Sequence, residues 1–348
     1  MSLSPSAIRA RAVELGFDLC GIAPAAGFPE LQFLRQWLDR GYAGEMHYLE
    51  RNAGRRADVR QVIPSARSVI VVAMVYNTDR PYSTEVTGAR RAEISRYAWG
   101  YDYHDVMGRR LDGLLGWMRA ECGEPFDAKW YVDTGPVQER VYAQYAGLGW
   151  IGKNTCLINP SLGSWLFLAE LIVSLPVEPD EPGLDRCGTC TLCLEACPTG
   201  ALVEPHVLDA TRCISYLTIE LKEAIPESRR EAIGGHVYGC DICQEVCPWN
   251  ARPAVSSRPE CQPRAELDRP RLVDLWRTSD DRLRAALHGS AMTRAKLAGL
   301  RRNIAVAIGN TGDAEALRAL DEPDAASPSK QEPVVAEHVS WAKRKRSA

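Results

Sequence analysis

The spacing of apolar positions changes along the chain, and each change predicts an element. Ala7, Ile8, Ala12 and Leu15 recur at helical spacing behind a Ser-Pro entry, which predicts a helix over residues 4–15. An apolar run at 17–23, broken by Pro24 and Gly27, predicts a strand, and the amphipathic helix over 29–40 stops at Gly41. The run S-V-I-V-V-A-M-V-Y at 68–76 is β-branched for much of its length, as strands buried on both faces are, and belongs at the centre of a sheet. An aromatic-rich stretch at 92–104 leads into a helix over 105–119. A strand at 128–133 ends in Asp133, and Thr134 or Gly135 is the expected cap of a helix whose first residue is Pro136 and which runs to about Ala146. A second buried strand, W-L-F-L-A-E-L-I-V-S-L, follows at 165–175. Residues 44–60, with Arg55 and Arg56, read as a solvated loop whose arginines are also placed to meet an anion.

Beyond residue 175 the pattern changes. Residues 176–184 are rich in proline and acid and mark a boundary. Between 272 and 320 short amphipathic helices follow one another, and R-R-N-I-A-V-A-I-G-N-T-G-D with the helix after it resembles one HEAT-type repeat, which must pack on the rest of the protein to be stable. The fold class expected is α+β. It comprises an N-terminal α/β domain over 1–175, a ferredoxin-like module over 176–252, a HEAT-like helical region over 253–321 and a disordered tail over 322–348.

A chain of 348 residues is too long for a bare ferredoxin, so something larger uses that module. The net charge of −3 excludes a globally basic nucleic-acid binder. A local patch remains available at Arg282, Arg284, Arg294, Lys296, Arg301 and Arg302, against the reading of solvated helix faces, and the final K-R-K-R adds to it. No apolar run is long enough to span a bilayer and no signal-peptide pattern opens the chain, so a cytoplasmic protein is expected, with a monomer as the default. Neither G-x-G-x-x-G after a strand nor G-x4-G-K-[ST] occurs, which removes Rossmann and P-loop readings.

The cysteines carry the most specific chemistry. Residues 187–198 read C-G-T-C-T-L-C-L-E-A-C-P, the C-x2-C-x2-C-x3-C-P run by which bacterial ferredoxins hold a 4Fe-4S cluster while lending the fourth cysteine to a neighbouring one. A second run holds Cys240, Cys243 and Cys247 before Pro248, with Val237 where its first cysteine belongs. Cys213 is best placed to supply the missing ligand. Crossing the fourth ligands assigns Cys187, Cys190, Cys193 and Cys247 to one cluster and Cys197, Cys213, Cys240 and Cys243 to the other. Disulfides do not suit cysteines bunched in this way, and structural zinc does not use paired C-x2-C-x3-C-P runs. Cys20, Cys122, Cys156 and Cys261 default to structural roles, Cys156 alone lying in a glycine-rich setting.

Two other residues invite chemistry. Asp133 reads equally as a carboxylate steadying a helix start and as an acid at the mouth of a sheet. Asp102 and His104 invite comparison with the D-x-H-x-x-G element of some cobalamin proteins, but position 107 is methionine and the glycine comes one later, so a cobalt-ligating role for His104 is not supported.

Taken together, Y-V-D-T-G-P-V-Q-E-R, G-L-G-W-I-G-K-N-T, the two cysteine runs with their flanks, R-C-I-S-Y-L-T-I-E and the HEAT-like end resemble the epoxyqueuosine reductases over nearly the whole ordered chain. The resemblance implies an oxidoreductase that completes queuosine at the tRNA wobble position, using two 4Fe-4S clusters and a cobalamin bound without a lower histidine. It implies that Asp133 is the proton donor and must be held protonated near neutral pH. It also brings Arg56, Tyr97, Arg140, Asn154, Cys156, Ser215 and Asp241 toward the cobalamin, makes the anticodon stem-loop of tRNA the partner and requires an unidentified electron donor. A reductive dehalogenase would share the clusters and corrin but usually carries a twin-arginine signal, and a ferredoxin-like electron carrier would need no corrin.

Overall fold

The computed structural model describes residues 3–86 and 90–347, with side chains of helical residues as far as 345. Its centre is a four-stranded sheet of β1 (Leu19–Pro24), β2 (Ser68–Val75), β3 (Ala128–Tyr131) and β4 (Leu166–Val173) in the order β1-β2-β4-β3. Every neighbouring pair is antiparallel. The expected α/β reading therefore becomes α+β at the level of the sheet. Burial of β2 on both faces comes from helices laid on either side of an antiparallel sheet.

Alternation along the strands divides those faces. Ile70, Val72 and Met74 of β2 and Phe167, Ala169 and Leu171 of β4 pack with α1 (Pro5–Glu14) and the long helix α3 (Tyr103–Cys122). Val69, Val71, Leu168 and Ile172 face α2 (Pro29–Asp39) and α4 (Glu139–Tyr145). Glu170 occupies the second face, fully buried, at a position the alternation reserves for an apolar residue.

Several boundaries differ from expectation. Residues 44–60 contain two short helices, His47–Arg51 and Ala53–Ala57, rather than a plain loop. Helix α4 begins at Glu139 with Gln138 at its cap, so Thr134, Gly135 and Pro136 belong to the turn before it. The acid-rich segment after 175 is tethered: Asp180 accepts the N–H of Ile22 at 2.8 Å, and Gly183 lies so close to the backbone of Gly149 that a side chain would collide with it.

A third core joins the cysteine module to the C-terminal helices. Its axis is α5 (Lys296–Thr311), in which every residue from Leu300 to Gly309 is buried. The expected disordered tail is instead helical. Residues Pro333–Ser347 form α6, whose Val335, Trp341 and Ala342 are buried in this core. Few but large apolar contacts outweigh a charge-rich composition there. Burial also removes Arg301 and Arg302 from any phosphate-facing patch. Arg301 bonds the carbonyls of Leu275, Trp276 and Thr278 and pairs with Asp280, while Arg302 bonds those of Leu217, Leu221 and Glu223. In the same region Arg284 pairs with Asp281 and Arg294 with Glu220. At the chain end Lys343 and Lys345 pair with Asp321 and Glu231, and the Arg346 side chain lies outside those described.

Candidate active site

The eight motif cysteines line two cavities in two groups of four. Cys187, Cys190, Cys193 and Cys247 line a small cavity of about 40 Å³ with Lys153 and Trp249. Cys197, Cys213, Cys240 and Cys243 lie together on one side of a larger cavity of about 490 Å³. All twelve cysteines are free of disulfides. Among the described residues, no three Cys, His, Asp or Glu side chains converge tightly enough for a single metal ion. Four thiols around a void suit a polynuclear cluster better than zinc.

Local structure explains the substitution at the second run. Val237 is wholly buried in the short strand His236–Tyr238, which pairs with Glu93–Ile94, so its position serves the core. Cys213 reaches the set from the turn after Ala210–Arg212, which Asp209 caps through the N–H of Thr211. Arg302 and Asn303 of α5 then bond carbonyls at Leu217, Thr218 and Val237, fixing both segments that flank Cys213 and Cys240.

Polar groups also address the thiols and their loops. The Trp150 indole N–H points at Cys187 Sγ from 3.5 Å, and the Ala201 N–H donates to Cys197 Sγ at 3.3 Å. Lys153 Nζ donates to the carbonyls of Gly188 and Cys190 at 2.7 and 2.9 Å. Such donors stabilise extra negative charge on a cluster and so bear on its potential.

The larger cavity has an aromatic and aliphatic side. Phe167 stacks on Tyr103 at 4.4 Å with 5° between their planes, and Tyr97 meets Tyr103 edge-on; Leu166 and Leu168 extend this surface. Tyr97, Asp133, Arg140, Asn154, Cys156, Ser215 and Asp241 all line the cavity. Arg56 does not. It packs behind the wall, donating from Nη1 to the Val137 carbonyl at 2.8 Å. Asn154 donates to the Cys243 carbonyl at 3.0 Å, and Asp241 accepts from Ser95 Oγ and the Arg96 N–H at 2.5 and 2.7 Å. Arg140 donates to the Thr155 carbonyl at 2.9 Å.

Asp133 occupies a left-handed backbone conformation, φ 55°, in the turn between β3 and α4. Non-glycine residues rarely adopt it, and its persistence requires surrounding support. Two contacts give that support: the Asp133 N–H donates to Glu139 Oε1 at 2.5 Å, and Gly135 fits so tightly over the Tyr131 ring that a β-carbon would lie 2.3 Å from it. The Asp133 side chain, 59% exposed, faces the cavity, with Oδ2 3.5 Å from His104 Nε2.

Electrostatics around this turn differ from expectation. Desolvation pushes the Asp133 carboxyl up, but His104, Tyr103 and Arg140 outweigh it and hold Asp133 below its usual range. Protons sit on its neighbours instead. Burial, reinforced by the charge of Asp133, pushes Glu139 up to about 8. His104 is pulled down by burial but raised to about 9 by its bonds to Asp102 and Asp133. Buried Glu170, with no hydrogen-bond partner for either oxygen among the described residues, is pushed well above the carboxylate range. Sequence reasoning missed Glu139 and Glu170; an acid breaking the apolar alternation of β4 was the available signal.

Two groups of four thiols, one of them in a cavity that the acid turn also lines, define the class as a protein built to hold iron–sulfur clusters. Residues 186–250 match the family model described as a 4Fe-4S double cluster binding domain, and residues 56–134 match the one for epoxyqueuosine reductase QueG, DUF1730. The chain is 41% identical to the epoxyqueuosine reductase of Xanthomonas campestris pv. campestris, across 96% of this chain and 94% of that protein. It also superimposes on a crystal structure of epoxyqueuosine reductase with an epoxyqueuosine-modified tRNA-Tyr stem loop (TM-score 0.88, 33% identity, 99% of this chain and 90% of that one). A third match is the Bacillus subtilis enzyme with its catalytic aspartate loop swung out of the active site (TM-score 0.86, 32% identity, 98% and 90%). The chain belongs to the epoxyqueuosine reductase family.

Proposed function

We infer that this chain reduces epoxyqueuosine to queuosine at the wobble position of tRNA, with electrons passing through two 4Fe-4S clusters to a cobalamin in the large cavity. The observation that carries the reading is one cavity with Cys197, Cys213, Cys240 and Cys243 on one side and Asp133 on another, in a chain of this family. Turning an epoxide into an alkene takes two electrons and two protons and releases the oxygen as water. Electrons and protons must therefore meet at one place.

The residues present fit a corrin. A broad flat macrocycle with amide side chains suits an apolar aromatic surface bordered by hydrogen-bonding groups, and Tyr97, Arg140, Asn154, Cys156, Ser215 and Asp241 would hold it. When bound, cobalamin supplies a low-valent centre able to engage carbon. His104 has its Nδ1 2.6 Å from Asp102 and its Nε2 turned to Asp133, an arrangement that supports proton chemistry. Asp133 is the acid that hands a proton to the departing oxygen, beside the apolar Tyr103–Phe167 surface. The substrate is the anticodon stem-loop, its modified base splayed out of the loop into the cavity. A low-potential electron donor reloads the clusters.

Nucleoside mass analysis tests the reading. Epoxyqueuosine-containing tRNA is incubated anaerobically with the cluster-loaded protein, a strong reductant, and cobalamin supplied or omitted. Loss of one oxygen only with cobalamin is expected; an unchanged nucleoside despite intact clusters and bound corrin would redirect the assignment to small-molecule epoxides or halides.

A further inference from the structure

Asp133 faces an arithmetic problem. Opening the epoxide places one proton on the oxygen as its first C–O bond breaks, and expelling that oxygen as water requires a second as the other C–O bond breaks, while two electrons arrive through the clusters. One carboxyl carries one proton, so it must be reloaded within the turnover. The surrounding groups also favour its ionised form, so even the first proton needs a source.

The groups around Asp133 narrow that source. Glu139, on α4, is pushed up to about 8, but its Oε1 accepts the Asp133 backbone N–H, and among the described residues no hydrogen bond joins its carboxyl to that of Asp133. Tyr103 stacks between Phe167 and the His104 ring, and its hydroxyl is pushed far above the neutral range by burial and by Asp133, too weak an acid to reload a carboxylate. Arg140 does not release protons. His104 remains. Its Nδ1 is engaged by Asp102 at 2.6 Å, which fixes the ring, and its Nε2 is buried, has no hydrogen-bond partner among the described residues and lies 3.5 Å from Asp133 Oδ2. The His104 side chain is 31% exposed and that of Asp133 59%, so solvent reaches the buried Nε2 only once the Asp133 carboxyl swings aside.

We propose that Asp102 and His104 form a relay that loads Asp133: His104 Nε2 passes its proton to Asp133 Oδ2, Asp133 passes it to the epoxide oxygen, and the sequence repeats once per turnover. Neutral His104 takes its next proton from solvent when the Asp133 carboxylate draws back from Nε2. Asp102 positions the ring and stabilises the imidazolium, and neither residue touches the substrate. The relay rests on the reading of Asp133 as the acid. The groups that set its pH response are Asp102 and Tyr103 on α3, Asp133 in the turn, and Glu139 and Arg140 on α4.

Two measurements test it. In single turnovers of the fully loaded enzyme on the modified stem-loop between pH 6 and 9, His104→Gln should slow oxygen loss by about 10²-fold, within the usual range for a general acid–base group, with stem-loop Kd unchanged. Added imidazole should restore part of the rate to His104→Ala. In the protein without cofactors, NMR titration of the histidine Cε1 protons should place His104 near 9, falling in Asp102→Asn. A wild-type rate for His104→Gln across the range, or a His104 midpoint at or below 6.5, overturns the relay. Asp133→Asn separates the two claims: if it retains turnover, the acid itself is misassigned, whereas an inactive Asp133→Asn beside a fully active His104→Gln sinks the relay alone.

Discussion

At the scale of single residues, the acids around the Asp133 turn are a cost in stability that the site imposes on the fold. Glu170 has no room for charge: both oxygens are buried without a hydrogen-bond partner among the described residues, and Glu139 and Asp133 oppose its ionisation. Its folded-state pKa lies above its unfolded one, so its contribution to stability is full below the ordinary carboxylate range and is lost as pH rises through that range toward the folded value. Each pH unit across that window costs about 1.4 kcal/mol. Glu170→Gln should therefore raise Tm at pH 8 and leave it nearly unchanged near pH 4, by calorimetry of the protein without cofactors. A Tm gain independent of pH would mean that Glu170 is ionised in the fold. Asp133 works in the opposite sense, since its lowered pKa favours folding above the carboxylate range, and that contribution is lost as acid protonates it.

At the scale of elements, the cysteine runs were legible because ligation imposes short, fixed spacings that survive without tertiary information. Cys213 is where this reading is most exposed, since its assignment rests on a gap filled from a distance in sequence. Cys213→Ser should reduce bound iron from about eight to about four atoms per chain, with the Cys187 set still giving a cluster spectrum. Retention of both clusters would show that another group fills the position. Strand β2 was equally legible from its own residues. The antiparallel direction of the sheet was not, because it depends on how β4 returns between β2 and β3. The start of α4 was misplaced because the left-handed conformation of Asp133 and its bond to Glu139 delay the helix, although Pro136 offers a good first residue. Of the cavity-lining positions, Tyr97 to Asp241 came from family resemblance, whereas Arg56 is turned toward the Val137 carbonyl.

At the scale of the whole molecule, charge averages concealed two opposite situations. Arg301 and Arg302 look like surface cations in sequence, yet carbonyls from segments far away along the chain enclose them, and burial lowers Arg302 to about 10. The tail, rich in charge, still supplies Trp341 to a core. On the proposed function, the cations open to a tRNA are those left outside these pairs, among them Arg282 and Lys296. The stem-loop association constant should fall with salt by about 0.7 logarithmic units per decade for each phosphate contacted in a single strand. Substituting Arg282 and Lys296 together should flatten that slope, while a slope unaffected by the pair would place the phosphate path elsewhere.

The packing of α5 and α6 has a consequence in time. Arg302 and Asn303 clamp the segments that carry Cys213 and Cys240, yet they lie well after Cys247 in the chain, and α6, which seats α5, lies later still. On the ribosome, all eight motif cysteines emerge before the helices that brace the Cys213 and Cys240 segments. The growing chain thus presents these thiols before that bracing has been made.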